Sequence, residues 1–426
     1  MPYSRFTRRR CFGAGASLLV AACSSAPPPD RVGQSLADPA ARGLYASRGW
    51  KAAWNRQSAH SLYQAVAGAH AHGLDPKTFL PRRTPGDAAR DDEALTLAAL
   101  AYARALSGGL VDPRRIETIY TLARNWPDLG AGLAKALASR NVGGWLNSLA
   151  PADREYAALS AAYLAAVGQT QQQGLPEQGP PPADQARQLA VNMERRRWLS
   201  RVPPAHRIDV NTAAAFMTYL KPGAPPWSAL TVDGRDDHPT PCIEADFRKI
   251  IANPPWIVPK DIAAREVLPK GPGYLAREDM HWVDGHLEQR AGPKSALGRV
   301  KFDLEDPYDI YLHDTPSKSL FAALDRHASH GCVRVQNAVD LARAIAAETG
   351  VADKLDEALA TTHTREIDLG QSIPVRMLYH TAYLDASGPV QLAADAYGAD
   401  ERLAEALGLG PGRVAAHKEP EVLFGP

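Results

Sequence analysis

Residues 171–182 read QQQGLPEQGPPP, and neither a helix nor a strand can run through them. Pro180, Pro181 and Pro182 offer no backbone N–H, and Leu175 is the one aliphatic side chain available to bury. A linker over 171–187 therefore splits the chain, and the two parts have different periods. From about 40 to 170, Ala, Leu and Arg dominate and β-branched runs are scarce, which predicts helices. Leu62, Ala65, Val66 and Ala69 recur at helical spacing and lead to Gly73 as a C-cap, with Asp75-Pro76 as a stop. Leu95, Leu97, Ala98, Tyr102 and Leu106 form a second stripe that ends at Gly108-Gly109. Past the linker, Arg207–Asn211, Arg299–Leu304, Tyr308–His313 and Val375–Tyr379 alternate as strands do. The last run leads to a hairpin turn at Asp385–Gly388, followed by Val390 and Leu392. The expected class is α+β: a helical domain over 40–170, a mainly β domain over 188–400, and a tail over 401–426. Residues 254–293, rich in Pro, Gly, Trp and charge, have no clear period and predict a long capping loop region.

The first residues are not part of the fold. Arg5, Arg8, Arg9 and Arg10 make a basic start, and Gly13–Ala22 is an apolar run too short to span a bilayer as a helix. Val20-Ala21-Ala22-Cys23, followed by Ser24, Ser25 and three prolines at 27–29, resembles a bacterial lipobox. The resemblance implies a signal peptide over 1–22, lipidation of Cys23 and a tether over 23–39. Arg9-Arg10-Cys11-Phe12 also fits a twin-arginine signal. The implied location is the cell envelope: periplasmic, and anchored to, not spanning, the outer membrane.

Charge excludes one class of partner. The 48 Lys and Arg balance 47 Asp and Glu, and no basic stripe interleaved with aromatics suggests nucleic acid. His60, His70 and His72 lack further ligands nearby and read as core or solvated residues. Of four cysteines, Cys242 and Cys332 remain in the mature part. An oxidising compartment would favour a disulfide, but a Cys242–Cys332 bond would block any thiol chemistry, so Cys242 is expected to be free.

The chemistry concentrates between His313 and Val335. In Tyr308–His313, Ile310 and Leu312 share one sheet face, which puts Tyr311 and His313 on the other. In Ser329-His330-Gly331-Cys332, Gly331 permits a sharp turn that would present Cys332. Asn337 reads as the N-cap of a following helix, with Asp340 at its third position and Leu341, Ala342, Ile345 and Ala346 as its apolar face. A free thiol has a pKa of about 8.5 and is mostly protonated at neutral pH, so a nearby imidazole is needed to take its proton.

His313, fifteen intervening residues and then Ser329-His330-Gly331-Cys332 resemble the signature of the L,D-transpeptidase catalytic domain, the YkuD type. Asn192–Leu199, Asn253-Pro-Pro-Trp256, Gly292–Gly298, Tyr311–Pro316 and Asp395–Asp400 are similar to its long, YcbB-like branch. Gly73-Leu-Asp-Pro76 and the helical half look like that branch's N-terminal scaffold. The peptidoglycan-binding module that the branch often carries has only the Gln/Pro linker in its place. The resemblance implies an enzyme with Cys332 as nucleophile and His313 as proton acceptor and donor. His330 and Gly331 would shape the oxyanion site, while Arg334, Ser329, Asp314 and Tyr311 are candidates for substrate binding. Arg334 by its charge suits a carboxylate, or else a surface salt bridge. The implied partners are peptidoglycan stem peptides, with a stem amine, a lipoprotein lysine or a D-amino acid as acceptor. Carbapenems are the implied covalent inhibitors, and no metal or cofactor is needed. Two rivals keep the same residues: a cysteine peptidase that hydrolyses peptidoglycan or lipoprotein links, and a non-catalytic peptidoglycan-binding lipoprotein.

Overall fold

The computed structural model describes residues 32–172, 184–385 and 388–410, with only the backbone for 169–172. The lipobox, its Cys23 and most of the Gln/Pro segment lie outside them. The N-terminal half consists of α1 (Pro39–Ser47), α2 (Arg56–Ala67), α3 (Ala88–Gly108), α4 (Leu129–Ala138), α5 (Val142–Asn147) and α6 (Arg154–Gln172). Asp38, Asn55, Asp87, Asp128 and Asn141 cap the first five, each accepting from a first-turn N–H. The expected stops hold: Gly73 (φ +66°) closes the 3₁₀ turn after α2, and Gly109 (φ +86°) ends α3. Leu62, Val66, Leu100, Tyr102, Leu106 and Leu133 meet in one core. Asp92 is buried among them because Tyr45 Oη at 2.8 Å and the Ala53 and Trp54 N–H groups at 2.9 Å donate to it.

The linker is shorter than its composition suggested. Residues 184–187 are already the first turn of α7 (Asp184–Trp198). The prolines end at 182, Asp184 favours a helix start, and Ala186, Leu189 and Met193 share a core with Tyr156 and Leu159 of α6.

The second half supplies β1 (Arg207–Asn211), β2 (Phe216–Leu220), β3 (Trp227–Gly234) and β4 (Glu244–Ala252). An excursion follows: β5 (Trp256–Ile257), α8 (Lys260–Ile262), α9 (Pro272–Arg277), β6 (Met280–Val283) and β7 (His286–Gln289). Then come β8 (Val300–Leu304), β9 (Tyr311–His313), β10 (His327–Ser329), β11 (Val333–Val335), α10 (Ala338–Glu348) and α11 (Ala352–Leu359). The chain ends with β12 (Arg365–Leu378), β13 (Ala382–Leu384), β14 (Val390–Leu392) and α12 (Ala399–Ala406). Nine strands form one sheet, β10-β3-β11-β9-β8-β4-β12-β1-β2, and β3 also pairs with β2, so the sheet closes on itself. Inward residues fill it: Phe247 and Phe302 meet edge to face at 5.6 Å, and Leu341, Ala342 and Ile345 of α10 join the same core.

Four local expectations change. Residues 254–293 are not a loop: β5, β7 and β6 form a small sheet, and Val258, Ile262, Val267, Met280 and Leu287 give it a core of its own. Its strands have two to four residues, too few for a visible period. Asn337 stands at the N-cap of α10 but with φ +54° and no side-chain cap bond; Asn tolerates that left-handed backbone. The C-terminal hairpin is built from β13 and β14, separate from β12. The tail begins late, because α12 buries Leu403 and Ala404 beside Val191 and Trp198.

Candidate active site

Two short parallel strands place the chemistry. β9 and β11 pair with Leu312 beside Val333 and His313 beside Arg334. Leu312 and Val333 point into the core. Alternation therefore turns Tyr311, His313 and Arg334 to the opposite face, where Cys332 immediately precedes β11. Gly331 adopts φ +108°, the turn the sequence called for. Side chains fix that turn. Ser329 Oγ donates to the Cys332 carbonyl at 2.6 Å and accepts from the Gly331 N–H at 3.1 Å. Thr240 Oγ1 donates to the Gly331 carbonyl at 2.8 Å and accepts from the Gly234 N–H at 2.9 Å.

Residues 309–311 surround the sulfur. Cys332 Sγ donates to the Asp309 carbonyl at 3.5 Å and lies beside the backbone N–H and phenol of Tyr311. His313 is buried and donates Nδ1–H to the Asp314 carbonyl at 2.5 Å. That bond selects the tautomer whose Nε2 carries a lone pair, the form a general base requires. Burial, reinforced by the Arg334 guanidinium, lowers the His313 pKa to about 3. Burial pushes the Cys332 thiol up to about 11, against the Tyr311 donors. At neutral pH the resting pair is thus a thiol and a neutral imidazole, not a thiolate–imidazolium pair. Alkylation of Cys332 by iodoacetamide should accordingly rise about tenfold per pH unit from roughly pH 7 to 9. A plateau across that range, read by mass spectrometry of the Cys332 peptide, would mean the thiolate is already formed.

The other candidates divide. Arg334 is half-buried, its Nε has no hydrogen-bond partner, and among the described residues it joins no salt bridge, so the surface ion pair is excluded. Its charge faces Cys332 and Tyr311. Tyr311 lies beside the Cys332 sulfur. Asp314 is occupied, accepting from the Arg299 N–H at 2.9 Å and pairing with Lys318. Ser329 is likewise spent on the turn, and the Gly331 N–H on Ser329, which removes that N–H as an oxyanion donor. His330 Nε2 donates to Glu266 Oε1 at 2.6 Å, and its ring lies 5.5 Å from that of His238. Cys242 is a free, buried thiol next to Tyr120 and Tyr379 and apart from this site. Asp309, Thr240, Trp256 and Glu266 escaped the sequence reading, since each reaches the site through a contact 23 to 91 residues away or through a backbone atom.

Residues 39–163 match a scaffold domain and residues 205–354 an L,D-transpeptidase catalytic domain. A Haemophilus influenzae protein named "Putative L,D-transpeptidase" is 29% identical over 241 residues, 50% of this chain and 48% of that protein. The chain thus spans about half the length of the curated relative it matches. A solved structure, the "Ldtfm-avibactam carbamoyl enzyme", is 13% identical over 42% of this chain and 51% of that one, with a TM-score of 0.23. At that distance it has no bearing on the fold. With the Cys332 turn and His313 inside the matched span, residues 205–354 are an L,D-transpeptidase catalytic domain of the YkuD type, carried behind a scaffold domain.

Proposed function

We propose that the chain cross-links or modifies peptidoglycan by L,D-transpeptidation. His313 Nε2 takes the proton of Cys332 Sγ as the sulfur attacks the carbonyl of the third residue, a diamino acid, of a tetrapeptide stem. The C–N bond to D-Ala breaks, the proton passes to the leaving amine, and a thioester forms. An amine then attacks the thioester, giving a 3→3 link, a lipoprotein attachment or an exchanged D-amino acid, and the thiol is restored. With the Gly331 N–H engaged, the Cys332 N–H is the backbone donor left to the oxyanion. Arg334 would receive the terminal D-Ala carboxylate. The observation that carries this reading is a presented thiol and an Nδ1-protonated histidine placed on one face of adjacent strands. Tethering to the outer membrane through Cys23, in the periplasm, belongs to the same proposal. Among the described residues no helix is long and apolar enough to cross a membrane.

Incubation with purified tetrapeptide muropeptides, read by mass spectrometry, tests it. Dimers lacking D-Ala are expected. Shortened or separated stems would replace the transferase by a hydrolase, and unchanged muropeptides would leave a binding protein. His313→Ala should slow the reaction by ~10²–10⁴-fold, the usual consequence of losing a general base. A near-normal rate in a folded His313→Ala protein would assign the base elsewhere.

A further inference from the structure

The cap touches both flanks of the nucleophile through residues that are not the catalytic pair. On one flank, Glu266 lies in the π-turn Ala263–Val267 and accepts from His330 Nε2 at 2.6 Å and Arg235 Nη2 at 3.0 Å. His330 is two positions before Cys332. Arg235, just beyond β3, donates its backbone N–H to the Ser329 carbonyl at 3.0 Å, so both partners of Glu266 belong to the nucleophile turn or grip it. On the other flank, the Trp256 side chain, in β5, lies beside the phenol of Tyr311, which in turn lies beside Cys332 Sγ. Trp256 packs against the same small core as Val267, next to Glu266. The two contacts therefore move with one body. The core of the closed sheet holds no residue of 254–293, so neither contact is part of it.

We propose that Glu266 and Trp256 are positioning residues: with the cap seated, they hold His330 and Tyr311, and through them fix the direction and exposure of the Cys332 sulfur. Lifting the cap lets go of both flanks together. The thiol then becomes easier for a small reagent to reach and less well aimed at a stem carbonyl. Access and catalysis would change in opposite directions, which a general loosening of the fold does not produce.

This rests on the acyl-transfer reading only for its kinetic half, so the first readout uses no peptidoglycan. In the full chain, iodoacetamide labelling of Cys332 is followed by peptide mass spectrometry, with buried Cys242 as an internal control. Glu266→Ala and Trp256→Phe should each raise the Cys332 rate by about fivefold or more, the scale of one lost hydrogen bond, and leave Cys242 slow. Glu266→Gln, which keeps an acceptor for His330, should rise less. With tetrapeptide stems, kcat should fall in Glu266→Ala and Trp256→Phe while KM changes little. Should Glu266→Ala not fold, Trp256→Phe decides, since it removes the indole and keeps an aromatic ring at that position. Unchanged Cys332 labelling in the folded variants, or an equal rise at Cys242, would overturn the proposal. Faster Cys332 labelling in a protein that turns over no stem would support the positioning role and count against acyl transfer alone.

Discussion

A folded Cys332→Ala protein should form no thioester with tetrapeptide stems and no adduct with a carbapenem, whereas Cys242→Ser should do both as the parent does. The expectation follows from where each sulfur lies. Cys332 immediately precedes β11 after a left-handed glycine, and its hydrogen bond to the Asp309 carbonyl, with Tyr311 alongside, orients it beside the face that carries His313. Cys242 is buried among Tyr120, Trp198 and Tyr379, and burial holds its thiol well above the ordinary range. It can replace Cys332 neither by position nor by acidity. A carbapenem presents a strained lactam carbonyl where the stem carbonyl would lie. Attack opens the ring without expelling a fragment, so the adduct keeps the whole inhibitor mass on the enzyme. Intact-protein mass spectrometry should show one adduct in the parent and in Cys242→Ser. An adduct that survives Cys332→Ala, or turnover of stems by that variant, would remove Cys332 as the nucleophile.

How much of this was legible in the sequence depended on whether neighbours in space were neighbours along the chain. The alternation of Ile310, Tyr311, Leu312 and His313 correctly assigned the two faces of β9, because period 2 is a local property. Gly331 was legible because its left-handed turn excludes most side chains. The role of Asp314 was not legible, because the Arg299 amide that occupies it comes from fifteen residues upstream, just before β8. Glu266 carries no local signal at all, since it meets His330 across 64 residues of chain. The cap hid for another reason: it is made of pieces too short to show a period and holds together by tertiary contact.

The same limit explains the charged run in α7 and sets the largest expected stability change. Glu194, Arg195, Arg196 and Arg197 are four consecutive charged residues of α7, yet Glu194 and Arg197 are each 0% exposed. Arg197 donates to Glu194 Oε2 through Nε at 3.1 Å and Nη2 at 2.6 Å, and through Nη1 to Tyr156 Oη and the His72 carbonyl at 2.8 Å. Glu194 Oε1 also accepts from the Val111 N–H at 2.7 Å. One ion pair thus joins α7 to α6, to the 3₁₀ turn after α2 and to the segment after α3. Glu194→Ala leaves a buried guanidinium without its counter-charge and Val111 without an acceptor. It should destabilise the protein by ~3–5 kcal/mol, the scale for breaking a buried pair from one side. Arg197→Met strands the carboxylate and should cost about as much. Replacing both, Glu194→Leu with Arg197→Met, should recover a large part, because the desolvation of two charges disappears with them. Urea unfolding followed by far-UV circular dichroism, with the double-mutant cycle completed, measures this. Single-mutant losses below about 1 kcal/mol, or a double mutant as unstable as the sum of the two, would mean that the pair is hydrated in solution and does not hold the helices together.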